Sequence, residues 1–477
     1  MKTCLLLGTL LISFNALSGL IIVDQNDDLQ NGPDGGCDLR EAIQAANTNL
    51  AVDGCSAGDP NNGDLILLQI SGPVQLTDQL EILAGMRISP PIGSGDRIEI
   101  RAAANRRIFW VHPPNDGDDV FEINQLHLTG GNAGTGHGGA ILIEQENGNQ
   151  PGTLWITNNL FTNNQAATGG AVSIQQTWAS TTLIEDNEFI NNTATNGPGG
   201  GLYYDRGSDQ LTLRTNLFRL NTSDSTGGGA FLSHNTNEAL NITANRFNQN
   251  HSDGDGGGLA LFGFGATQDF ILNRNAFLGN TASDNAGALY SAQSARPWIY
   301  NSVMAFNLAN RGGAISTVNA YVYLRYSTLV HNEANLGAQI YGYSGTLGGL
   351  STSILAYPIG DENCAGATQS LSSAYTIADD GSCPFNASSD QQTDPKLSGF
   401  HLDHHGFPAF MPAVGSTAID RSSVAVCVDF DQQVLDHDLQ NNPRPVDGDG
   451  SGSAFCDLGA SEAEASTDLM FADSLGG

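Results

Sequence analysis

Short apolar alternations, broken by clusters of Gly, Asn, Asp and Ser, run from Leu65 to about Ile354. Ile184-Glu185-Asp186-Asn187-Glu188-Phe189, Leu211-Thr212-Leu213 and Asn241-Ile242-Thr243 read as strands. A longer period lies over this one. Phe-x-x-Asn recurs at Phe161/Asn164, Phe189/Asn192, Phe218/Asn221, Phe247/Asn250 and Phe277/Asn280, with steps of 28, 29, 29 and 30 residues. Each is followed by a glycine turn and a small apolar residue: Gly169-Gly170-Ala171, Gly200-Gly201-Leu202, Gly228-Gly229-Ala230, Gly257-Gly258-Leu259 and Gly287-Ala288. A fixed period built from strands and turns predicts a solenoid, one turn of parallel β-helix per repeat. Leucine-rich and ankyrin repeats need helices that these units lack.

Stacking supplies the physics. Rungs about 4.8 Å apart turn every repeat position into a ladder of like residues. The Phe positions predict an internal aromatic stack, each ring removing about 150–250 Å² from water, an upper bound of roughly 4–6 kcal/mol. Asn164, Asn192, Asn221, Asn250 and Asn280 predict an amide ladder, and the glycines supply positive φ where the chain bends. Later rungs replace Phe by Val303 and Leu329, with turns at Gly312-Gly313-Ala314 and Gly337-Ala338. Leu126 to Gly131 with Gly138-Gly139-Ala140 reads as an earlier rung. Ten to twelve rungs are expected.

The ends differ from the repeats. Met1-Lys2-Thr3 followed by the apolar run Leu5–Phe14 and Ala16-Leu17-Ser18 has the form of a secretory signal peptide. Cys37 to Asn47 predicts one helix, N-capped by Asp38 in a capping box with Glu41, with Leu39, Ala42, Ile43 and Ala46 on one face. It would plug the solenoid's open end, with Arg40-Glu41 as a capping and solvated pair. After export six cysteines remain, whose clustering favours Cys37–Cys55, Cys364–Cys383 and Cys427–Cys456. Each such loop contributes roughly 3 kcal/mol if unstrained. The expected organisation is signal peptide 1–18, N-terminal cap 19–64, repeats 65–360, C-terminal accessory region 361–462 and acidic flexible tail 463–477.

Charge narrows the partners. The net charge is −32, and Lys2 and Lys396 are the two lysines. Such a surface repels nucleic acid and anionic lipid, and weighs against polyanionic glycans unless calcium intervenes.

Three segments resemble known families. Cys37 to Asn47 resembles the Cys-Ser-Leu-Arg-Glu-Ala motif of secreted bacterial proteins, with Asp38 in place of the serine. The Gly-Gly-Ala and Phe-x-x-Asn units are similar to the repeats of polymorphic outer-membrane proteins, which are adhesin-like. Asp394-Pro395-Lys396-Leu397, Gly415 to Asp420, Arg444-Pro445 and Cys456 to Glu462 resemble the choice-of-anchor Q domain of exported β-helix proteins. The translocating barrel of the polymorphic proteins needs a long series of amphipathic strands, and residues 360–477 contain no such series. Asp468 to Asp473 is similar to a short C-terminal signature of secreted Gram-negative proteins.

Candidate chemistry is sparse. Asp224, Asp253, Asp255 and Asp284 fall in nearly equivalent turns, as solvated turn acids or a calcium row. Arg214, Arg246 and Arg274 lie close to one register, as an exposed stripe or a base set. Asp447-Gly448-Asp449-Gly450-Ser451-Gly452 matches the first half of a calcium loop, but Leu458 stands where a bidentate glutamate belongs. Asp403-His404-His405 reads as a surface loop or a metal or acid–base cluster, although neighbouring side chains in an extended chain diverge. Gly-x-Ser-x-Gly, His-Glu-x-x-His and phosphate-loop motifs are absent.

The expectation is therefore an exported all-β chain, a right-handed parallel β-helix of pectin-lyase-like architecture. Its expected role is adhesion or carbohydrate binding as a monomer, without catalytic residues, cofactor or transmembrane span. Calcium is a possible ligand. The alternatives are a polysaccharide lyase or glycoside hydrolase, and a purely structural surface protein.

Overall fold

The computed structural model describes residues 19–28, 34–60, 63–112, 120–144, 152–175, 181–205, 210–235, 239–264, 268–344, 348–366, 372–422 and 427–463. The signal-peptide segment 1–18, the tail beyond 463 and the Asp468–Asp473 signature lie outside them.

Each rung places one strand in each of up to four parallel sheets. In one rung these are Thr181–Glu185, Glu188–Ile190, Thr193–Ala194 and Leu202–Asp205. They belong to sheets of thirteen, thirteen, seven and eleven strands, called here first, second, third and fourth in the order the chain visits them. Strands pair with the next rung in parallel register, so Phe161, Phe189, Phe218, Phe247 and Phe277 follow one another. Their rings stack inside the solenoid 4.6 to 4.9 Å apart and within 9° of parallel. The sheet spacing imposes this face-to-face stacking, which isolated rings do not prefer. Pairing puts Met304, not Val303, after Phe277, and Leu329 after that. Val303 faces outward.

The predicted amide ladder is present and has a twin. Asn192 Nδ2 donates to Asn221 Oδ1 at 2.9 Å and to a carbonyl of the previous rung, Phe161 O, at 3.1 Å. Its backbone N–H donates to the same Asn221 oxygen. The second ladder, Asn159, Asn187, Asn216, Asn245 and Asn275, stands at the corner before each Phe and bonds in the same way. It continues through Ser302, Ser327 and Ser353. Asn187 therefore breaks the run Ile184–Phe189 into two strands rather than one. The residue before each ladder Asn has positive φ: Asp186 55°, Asn191 57°, Thr215 56°, Leu220 57°. A side chain there costs about 1–2 kcal/mol, offset by the three bonds of the following Asn.

Glycine does serve the other corner, one residue earlier than the pairs singled out in the sequence for three rungs. Gly169, Gly199, Gly227 and Gly256 have positive φ, and Ala286 takes that position with φ 58°.

At the N-terminal end Leu39–Thr48 is the expected helix, with both halves of its capping box formed and Leu39, Ala42, Ile43 and Ala46 buried. Arg40 is not a solvated partner of Glu41. It donates to Asp28 at 2.6 and 2.9 Å and to the carbonyls of Asp78 and Gln79, clipping the helix to the first rungs. Burial pushes Asp28 up, but the bonds from Arg40 and Thr77 outweigh it and hold the carboxyl below its ordinary range. All three local disulfides are formed.

Strands of the solenoid continue to Gln391–Gln392. The chain then folds back along the outside of the second sheet. Phe407, Phe410, Ala418, Leu439, Leu458 and Ala460 cover Ala276, Val303, Val330 and Ile354 there. Buried Arg444 fastens the contact: it bonds Glu462, Asn301 Oδ1 at 2.7 Å and Gly459 O at 2.8 Å, over the Tyr326 ring.

Replacing Asn221 by Leu strands the Asn192 N–H and the Phe189 carbonyl in the interior, since both bond Asn221. Two buried unsatisfied groups at about 1–3 kcal/mol each predict a loss of roughly 3 kcal/mol in denaturant unfolding. Exposed Asn335→Ala is expected to cost at most about 0.5 kcal/mol. Burial, reinforced by the charge of Asp59, raises Asp64 from 3.8 to about 6 despite a hydrogen bond from the Asp59 N–H. The fold thus prefers the neutral carboxyl, whose contribution is complete below about pH 4 and disappears as pH rises through 6. Asp64→Asn is expected to raise the thermal midpoint at pH 7.5 and leave it unchanged at pH 4; equal shifts at both pH values would refute this.

Candidate functional site

Alternation along each strand of the fourth sheet sends one set of side chains inward and the other out. Leu202 and Tyr204 point into the core, and Tyr203 between them points away. Register then sets Tyr203 beside Phe231, with Ala260 and Tyr290 next in the row. Phe262 stands in the neighbouring outward row. The result is an aromatic face outside the solenoid: Tyr203–Phe231 at 5.2 Å, Phe231–Phe262 at 5.0 Å and Phe262–Tyr290 at 5.8 Å between centroids. Tyr203 and Phe262 are half-buried, while Phe231 and Tyr290 are largely covered. The glycine corner lies tight against it. A Cβ on Gly256 would sit 3.1 Å from Tyr290 Cβ.

Acids border these rings. Asp255 accepts from Asn285 N at 3.1 Å and Nδ2 at 2.7 Å. Burial holds its carboxyl above the ordinary range against those bonds, and burial with the adjacent Asp255 pushes the Tyr290 phenol up. Asp205 accepts from the Ser233 hydroxyl.

Toward the N-terminus the same sheet carries a denser group. Trp110 Nε1 donates to Glu144 at 2.7 Å, His112 Nε2 lies 2.7 Å from Glu81, and the Trp110 and His112 rings stack at 4.1 Å. The Arg107 guanidinium lies 6.0 Å from the Trp110 ring and donates to the His137 carbonyl at 3.0 Å. Burial lowers both Arg107 and His137, with Glu144 pulling each upward and Arg107 pulling His137 further down. None of these residues was singled out in the sequence. An aromatic directly after the inward residue, at Trp110, Tyr203, Phe231 and Tyr290, was the available signal.

The residues that were singled out are dispersed. Asp224 and Asp253 share a register position, but Asp255 aligns with Asn285 and Thr226, and Asp284 pairs with Arg311 at 2.8 Å. They form no row. The arginines form no stripe either. Arg214 pairs with Glu185, Arg246 donates to His405 O at 2.7 Å, and Arg274 donates to Leu439 O at 3.3 Å. The last two hold the returning C-terminal chain. His404 and His405 do not diverge; their rings lie 3.9 Å apart.

Asp447 and Asp449 are joined by Asp420, and the three offer oxygens within 4.8 Å of one another. Asp420 Oδ2 accepts from Gly448 N and Asp449 N, and Asp447 accepts from Ser451 N and Gly452 N. The carboxylates therefore shape the loop. Three such oxygens fall short of the six to eight that calcium takes, the balance having to come from water or carbonyls.

Among the described residues, no helix is long and apolar enough to cross a membrane. Residues 131–277 match the family model described as right handed beta helix region, a span that contains the unbroken Phe stack. No curated protein and no solved structure matches the chain. The four parallel sheets, the scarcity of helix and this match together make the fold a right-handed parallel β-helix.

Proposed function

We propose that the chain is an exported surface or secreted scaffold that binds carbohydrate without turning it over. The observation that carries the reading is the aromatic face of Tyr203, Phe231, Phe262 and Tyr290 on the fourth sheet. Flat rings offer apolar platforms to the C–H faces of pyranose sugars, and Asp205 and Asp255 beside them are acceptors for hydroxyls. Contiguous apolar surface rimmed by polar groups marks interaction sites. Three disulfides fit an oxidising compartment, as the leader-like segment 1–18 also suggests. The reading calls on no cofactor and treats the chain as a monomer.

The lyase or hydrolase alternative would work at Arg107, His137 and Glu144, where a cation, an imidazole and a carboxylate lie together. Hydrolysis needs two carboxylates flanking the scissile bond, and here Glu144 is engaged by Trp110 and Glu81 by His112.

The deciding experiment is a glycan array run beside a lyase and hydrolase panel. Retention of specific glycans without product is expected. Tyr203→Ala/Phe262→Ala is expected to weaken retention at least tenfold, about 1.4 kcal/mol, with an unchanged far-UV spectrum. Unsaturated or reducing-end products would establish the enzyme instead. No retention of any glycan would leave the structural surface protein.

A further inference from the structure

The corner between the second and third sheets carries a column of outward side chains, one per rung. Register places Gln249, Gly279, Phe306, His331 and Tyr357 in succession, and all five hold φ between 53° and 63°. Side chains in this column lie over one another. Early in it Asn191 donates to Asn163. Late in it the rings stack, Phe306 on His331 at 5.3 Å and 2° and His331 on Tyr357 at 5.0 Å and 22°.

The stack breaks at Gly279. His331 covers one face of Phe306, and Phe400 and Phe410 of the returning chain meet the ring at 5.5 and 6.0 Å, inclined by 81° and 50°. Phe306 is still 42 % exposed, and its other face looks across one rung to Gly279. Apart from chain neighbours, Gln249 Cγ at 3.6 Å is the one described atom within 4 Å of a Cβ built on Gly279. Gln249 and Phe306 are therefore separated by two rung spacings, about 9.6 Å, with no side chain of the column between them. That is room for one flat ring with a stacking distance on either side.

The same spacing selects the occupant. A planar ring over Gly279 meets Phe306 as Phe306 meets His331, with parallel faces one rung apart. It also continues an interface already built from rings, the contact of Phe400 and Phe410 with the column. Arg246, on the Gln249 rung, is committed to His405 O and lies over the Phe407 ring. The net charge of −32 turns away anionic rings.

We propose that the gap at Gly279 is a binding site for a small neutral aromatic ring, of the size of phenol, which completes the stack of Phe306, His331 and Tyr357. The site is separate from the aromatic face of the fourth sheet and does not depend on the glycan reading.

The test adds the full chain to 4-fluorophenol at neutral pH. The fluorine resonance is expected to move upfield and saturate, because a ring lying on the face of Phe306 is shielded by it. Cyclohexanol and methyl β-glucoside, at the phenol's concentration, are expected to displace less than about a tenth of it, since neither is planar. Gly279→Phe puts a ring in the gap at a φ that Phe306 itself holds. That variant is expected to keep the thermal midpoint and lose the shift. Phe306→Ala is expected to weaken phenol binding at least tenfold, and it decides the matter alone if Gly279→Phe does not fold. A resonance that the chain does not move overturns the proposal. So does a shift that survives in folded Gly279→Phe or is undiminished in Phe306→Ala, or displacement by cyclohexanol or the glucoside as effective as by phenol itself.

Discussion

The distance between successive rungs governs this molecule. Parallel pairing sets it near 4.8 Å, and an Asn side chain at a corner reaches that far. One such side chain satisfies the N–H below it and a carbonyl on the previous rung, as Asn221 does for Asn192 and Phe189. Corners that would bury unmet backbone groups thus become bonded, and residues such as Leu220 and Thr215 can be held at positive φ beside them. The Phe stack depends on the same spacing, because only an unbroken register superimposes the rings.

The solenoid also explains how a strongly acidic chain uses its few cations. Arg246, Arg274 and Arg325 all donate to the returning C-terminal chain, to His405, Leu439 and Asp429 carbonyls respectively. These are bonds to main-chain oxygens, whose energy owes little to the balance of surface charge. Late rungs prepare for the contact by replacing polar outward residues of the second sheet with Val303, Val330 and Ile354. The C-terminal region is therefore part of the folded unit and shields an apolar strip that the earlier rungs do not have.

Much of the fold was legible because stacking converts sequence period into spatial neighbourhood. Phe161 to Phe277, the first Asn ladder, the capping box at Asp38 and the local disulfides all follow from that or from nearest-neighbour chemistry. The second ladder carried the same signal, an Asn two places before each Phe. The site was less legible. Turn lengths vary by one or two residues, so Asp255 and Asp284 are close in period but not in register. Runs such as Gly199-Gly200-Gly201 hide which glycine turns the corner, since only pairing distinguishes them. Asp420 joins Asp447 and Asp449 through tertiary folding, which spacing along the chain does not reveal.

The ladders run one way. Every Asn from Asn164 to Asn307 gives one amide hydrogen to the Asn of the next rung and the other to a carbonyl of the rung before, and Asn332 closes the series on Gln339 rather than on another Asn. An interior unit thus finds the same acceptor ahead and the same donor behind wherever it is placed. Duplication or loss of one whole repeat leaves the joints intact, whereas a fraction of a repeat severs both ladders at once. The protein is accordingly a ruler whose length can change in quanta of one rung, with its two ends held constant.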